Sequence, residues 1–104
     1  MRNGMDQFIS IPDETIEKFC QKHHIRKFSL FGSVLREDFR PESDIDVLVE
    51  FEPGHVPGFI TLGAMHVELA EILGRKVDIR TPASLSEYFR QQVMEDAQVQ
   101  YEHP

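Results

Sequence analysis

Three aspartates and a glycine-serine turn are the residues here whose types and spacing could do chemistry. Gly32 and Ser33 follow an apolar run, Phe28 to Phe31, and Asp44 and Asp46 open a second run, Ile45 to Phe51. Side chains alternate along a strand, so Ile45, Val47, Val49 and Phe51 share one face while Asp44 and Asp46 share the other. Two carboxylates so placed repel each other, and a cation or water must offset them. Asp78 lies in a third short run, Lys76 to Arg80, with Val77 and Ile79 on one face and Lys76, Asp78 and Arg80 on the other. Carboxylates on a rigid two-strand frame suit metal-assisted nucleotidyl transfer, in which two divalent ions about 3.5 to 4 Å apart hold the attacking and leaving oxygens. Magnesium takes few carboxylates and completes its shell with substrate phosphate oxygens. In this reading Asp44 and Asp46 hold both ions and Asp78 completes the one that activates the acceptor hydroxyl. The Gly32 amide and Ser33 hydroxyl grip the outgoing phosphates, as backbone amides at a helix start can. The competing reading is a solvated acid cluster. A calcium loop is disfavoured because its Asp-x-Asp-x-Asp-Gly spacing is missing.

The elements that must position these residues follow from periodicity. Pro12, Asp13 and Glu14 open a helix over about 12 to 23 whose Ile16, Phe19 and Cys20 form a buried stripe. Strand one runs from about Lys27 to Phe31, a short helix from about Val34 to Phe39, and strand two to about Phe51. After the breaker-rich loop Glu52 to Gly58, a helix from about Phe59 to Leu73 carries Leu62, Met65, Leu69, Ile72 and Leu73, and Gly74 stops it. Lys76 to Arg80 is the third strand. Ser84 and Glu87 have capping-box spacing for a last helix to about Asp96, with Tyr88, Phe89, Val93 and Met94 as its stripe. The element order is thus α-β-α-β-α-β-α, an α+β two-layer fold with a small mixed sheet and helices packed on it. Residues 1–104 form a single domain, with 1–10 an N-terminal extension and 97–104 a tail whose Val99 and Tyr101 dock on the body or on a partner.

The remaining reactive side chains have plainer explanations. Cys20 reads as core, since nothing nearby would stabilise a thiolate. His23 and His24 suit a helix C-terminus, His55 an exposed loop and His66 a satisfied, half-buried position.

Length and charge exclude several functions. The 104 residues suffice for one modest core, and 40% hydrophobic with 28% charged residues is ordinary globular usage. A formal net charge of -7 argues against a broad basic surface for nucleic acid. The single cysteine excludes an internal disulfide and fits a reducing compartment. With no bilayer-length apolar run and no signal-peptide pattern, a soluble cytoplasmic protein without membrane contact is expected.

The stretch GSVLREDFRPESDIDVLVEF together with KVDIRTP resembles the minimal nucleotidyltransferase family of the polymerase-beta-type nucleotidyltransferase superfamily. The likeness covers roughly residues 12 to 101 and lies in the Gly-Ser pair, the spacer, the Asp-x-Asp and the later third acid. It implies the nucleotidyltransferase fold, metal at Asp44, Asp46 and Asp78, and phosphates at Gly32 and Ser33. It also implies ATP as substrate, two Mg2+ ions, and transfer of AMP to a tyrosine of a HEPN-type ribonuclease toxin, so that the chain acts as an MntA-like antitoxin. Glu37, where many relatives carry Gly, and Arg80, where many are apolar, depart from the pattern. For Arg36 and Arg80 a salt bridge competes with substrate contact. Two alternatives stand beside this reading: a binding module that silences the toxin by occlusion, and a small-molecule nucleotidyltransferase, for whose acceptor pocket the chain has little length.

Overall fold

The computed structural model describes residues 13–32 and 44–103. Helix α1 (Asp13–Lys22) buries Ile16, Phe19 and Cys20 and carries Asp13 and Glu14 in its first turn, where the helix dipole favours acids. His24, in the left-handed region at φ 56°, turns the chain into β1 (Ile25–Phe31). That strand starts earlier than the expected Lys27, because Ile25 is itself a core residue. Strand β2 (Ile45–Phe51), helix α2 (Phe59–Leu73) and strand β3 (Val77–Arg80) follow. Gly74 ends α2 in the left-handed conformation, its N–H bonded to the Ala70 carbonyl. The helix expected at Val34 to Phe39 lies outside the described residues.

Two expectations for the last quarter of the chain need correction. Ser84 does not open the final helix. Its Oγ donates to the Thr81 carbonyl at 2.8 Å and accepts from the Thr81 N–H at 3.0 Å, closing a capping box around a 3-10 turn over Pro82–Ser84. Helix α3 is therefore shorter, Arg90–Asp96, and Tyr88, Phe89 and Met94 are exposed instead of forming a buried stripe. Residues 98–102 are not a tail but strand β4 (Gln98–Glu102), antiparallel to β1, and Tyr101 docks on the body as expected.

The sheet order is β3-β2-β1-β4, with β2 antiparallel to β1 and parallel to β3. Among the described residues the architecture is three α-helices and a four-stranded mixed sheet, an α+β fold. Register places Phe28 against Val49 and Leu30 against Val47, so these four side chains share the face that α1 and α2 cover. Met65, Leu69 and Leu73 of α2 meet Phe19 and Cys20 of α1 in that layer. Burial pushes the Cys20 thiol up to about 12, so it is a core residue without thiolate character. A polar clamp ties the two helices together: Glu68 accepts from Lys22 Nζ at 3.2 Å and pairs with His23 Nε2 at 2.9 Å.

Candidate active site

The acids stand on the sheet face opposite α1 and α2, as the alternation of β2 requires: Ile45, Val47 and Val49 are fully buried, while Asp46 is half-buried and Asp44 exposed. Sheet register then assembles what the sequence keeps apart. Asp46 sits directly beside Asp78 across the parallel β2–β3 pair, and beside Phe31 across the antiparallel β1–β2 pair. Asp46 is thus the middle of a row spanning three strands. Asp44 precedes β2 by one residue, where the Ile45 N–H donates to the Lys76 carbonyl at 2.9 Å and fixes the start of the β2–β3 pair.

Gly32 follows Phe31 with φ at +74°, the left-handed region that a side chain disfavours. It also lies against Asp46: a Cβ built there would collide with the carboxylate oxygen and stand 3.1 Å from its carbon. The turn backbone and the central acid are therefore neighbours, and the space between them admits no side chain. Ser33, Arg36 and Glu37 lie outside the described residues.

Asp78 is half-buried and Arg80, two residues on along the same face, donates from Nε to its Oδ2 at 3.1 Å. Of the two roles weighed for Arg80, the structure displays the ion pair. Among the described residues, no three His, Cys, Asp or Glu side chains converge as a metal-holding group. The donor chemistry nevertheless fits a hard divalent cation, because Asp46 and Asp78 offer carboxylate oxygens from adjacent positions on one sheet face. Were Asp78 to hold such an ion, the cation would take the place of its guanidinium partner.

His66 supports this row in a way the sequence did not disclose. Strand β3 is the sheet edge, and its Ile79 N–H donates to His66 Nε2 at 3.2 Å. The ring must then carry its proton on Nδ1, which donates to the Leu62 carbonyl at 2.9 Å. The neutral imidazole thus pins the residue next to Asp78 to α2. On the far side of Asp78, Arg90 holds the turn after β3 by donating to the carbonyls of Pro82, at 2.7 Å, and Leu85, at 3.0 Å. His23 and His55 serve elsewhere: His23 in the Glu68 clamp, and His55 in the loop stacked on His24 with ring centroids 3.9 Å apart.

Comparison with known proteins agrees with this geometry. The family model described as "Nucleotidyltransferase domain" matches residues 12–99. A Methanocaldococcus jannaschii protein named as a protein adenylyltransferase is 36% identical over 76 residues, covering 73% of this chain and 80% of the relative. A solved structure described as a minimal nucleotidyltransferase superposes with a TM-score of 0.67 at 33% identity, covering 82% of this chain and 85% of that one. The structure of a tri-AMPylated Shewanella oneidensis HEPN toxin in complex with MNT antitoxin shares the fold, with a TM-score of 0.63 at 24% identity over 88% of this chain and 70% of that one.

Proposed function

Since the chain belongs to the nucleotidyltransferase domain family and is a nucleotidyltransferase, we propose that it transfers AMP from ATP to a tyrosine hydroxyl of a HEPN-type toxin and so acts as its antitoxin. The reading rests on one observation: Asp46 stands in register with Asp78 while Gly32 packs against its carboxylate. The named activity of the Methanocaldococcus relative and the AMPylated toxin in the Shewanella complex support AMP as the group and a HEPN protein as the acceptor.

In the proposed reaction the acceptor oxygen attacks the α-phosphorus and loses its proton. The bond from the α-phosphorus to the bridging oxygen breaks, and pyrophosphate leaves with that electron pair. Asp44, Asp46 and Asp78 would hold magnesium, which neutralises the phosphates and lowers the pKa of the attacking hydroxyl when bound. The chain's own part is positioning. Strands β2 and β3 fix two carboxylates side by side, Gly32 lets the turn backbone lie against the central one, and Ser33 would donate to the leaving phosphates. Arg80, now paired with Asp78 through Nε, would stand as a positive charge on the same face were that acid to hold a cation.

The test is transfer of labelled AMP to a HEPN protein encoded beside this chain. The wild type labels the toxin, and a double Asp44→Ala, Asp46→Ala variant loses at least about 100-fold in rate. Equal labelling by both proteins would reject the assignment. If the double variant still binds and silences the toxin without labelling it, occlusion is the mode of neutralisation.

A further inference from the structure

Sheet register gives the acid-bearing face a wall. Val99, Ser29, Leu48 and Arg80 stand side by side across all four strands, two residues along from the row of Phe31, Asp46 and Asp78 and on the same face. Ser29 and Leu48 are buried, although α1 and α2 lie on the other face. Their cover is the segment that carries the chain from β3, at one edge of the sheet, to β4, at the other. Its 3-10 turn packs against β2, and its Leu85 is buried outside the main core. The segment therefore bridges the face about 7 Å from the row of acids, the rise of two strand residues.

The outer surface of that bridge is apolar. Tyr88 is 92% and Phe89 54% exposed, Met94 follows on α3, and Val99 stands open in β4. Glu87, Glu95 and Asp96 are exposed on the same segment and flank these side chains with negative charge. The aromatic turn is held in place: the Phe89 and Arg90 N–H groups donate to the Ser86 carbonyl, and the Arg90 side chain donates to the Pro82 and Leu85 carbonyls. Apolar groups displayed on a fixed turn lose little freedom when a partner covers them.

We infer that this bridge is the docking surface for the protein whose hydroxyl accepts the nucleotidyl group, an inference that rests on the proposed AMP transfer to a HEPN-type toxin. Position selects that occupant. An acceptor hydroxyl must reach the α-phosphorus over Asp46 and Asp78, so the body that carries it lies on their face, against this wall. Helix α2 also exposes Phe59, Ile60 and Val67, but an occupant there has the sheet between itself and the acids. Charge selects it as well. A second copy would set Glu87, Glu95 and Asp96 of two chains against each other, each chain already at -7. A ribonuclease needs basic surface to hold RNA, and such surface complements these acids. Size separates a protein from a nucleobase. The four apolar side chains expose on the order of 400 Å², about the apolar half of the roughly 800 Å² that each partner gives to a standard interface.

The affinity of the purified chain for the HEPN protein encoded beside it, measured by calorimetry without nucleotide, tests the surface apart from the chemistry. Tyr88→Glu and Met94→Glu are each expected to weaken binding at least about 30-fold, with melting curves like that of the wild type, because both side chains are exposed. Ile60→Glu, on α2, is expected to bind as the wild type does. In AMP transfer, Tyr88→Glu is expected to raise the KM for the toxin and to leave the KM for ATP unchanged. Wild-type affinity in both bridge variants, a loss confined to Ile60→Glu, or a wild type that does not bind the toxin overturns the inference. So does a raised KM for ATP with toxin affinity unchanged, which would assign Tyr88 to the nucleotide base. A complex that depends on Tyr88 yet never labels the toxin would overturn AMP transfer and leave the docking surface standing.

Discussion

Gly32 has two separate reasons to be glycine, and substitution tests both at once. A φ of +74° strains any L side chain by roughly 1 to 2 kcal/mol, and a Cβ would displace the Asp46 carboxylate. Gly32→Ala is therefore expected to lower AMP transfer by about 100-fold with only a modest drop in melting temperature. Labelled-nucleotide transfer and thermal unfolding on one preparation would show it, and unchanged transfer would remove Gly32 from the site. Alternation along Ile45 to Phe51 was enough to place Asp44 and Asp46 on the face away from the core. That Asp46 touches Gly32 and stands beside Asp78 was not readable locally, because strand order is decided by packing between distant segments. A glycine-serine turn alone is equally an ordinary turn, and the left-handed φ and the neighbouring carboxylate together explain its absent side chain.

Strand β3 depends on α2 for more than apolar contact. Its Ile79 N–H faces away from β2, and His66 is its acceptor. His66→Phe fills the same space but leaves that buried N–H unpaired, at a cost of about 1 to 3 kcal/mol, which a shift in the denaturant midpoint would reveal. The α1–α2 clamp has its own pH signature. Burial alone would raise the Glu68 pKa, but hydrogen bonds and attraction from His23 and Lys22 outweigh it and hold the carboxyl below its ordinary value. A lowered folded value means the stabilisation is complete above the ordinary glutamate range and is lost as pH falls through the folded value. Glu68→Gln is thus expected to destabilise the protein at neutral pH and to differ less from wild type in acid, as paired melting curves would check. The two long helices were legible because each carries its core residues at spacings of three and four. Helix α3 was misread because Ser84 is used by the 3-10 turn, and β4 was missed because its Val99 is half exposed and its other residues are mostly polar.

The sheet as a unit explains why the tail matters. Strand β1 lies between β2 and β4, and Tyr101 of β4 packs on the main core. Removing residues 97–104 is expected to uncover the β1 edge, lower the melting temperature and promote self-association, which light scattering after mild heating would detect. Periodicity indicated a mixed α+β arrangement, which the helices and sheet display. The closure of one sheet edge by residues 98–102 needed coordinates, because pairing between segments so far apart leaves no trace in either one's local pattern. This long-range pairing sets an order of events during synthesis. A ribosome that has already threaded out Asp44, Asp46 and Asp78 still withholds the second neighbour of the strand leading into Gly32. The growing polypeptide is therefore expected to complete the sheet only when Gln98 to Glu102 emerge and pair with β1.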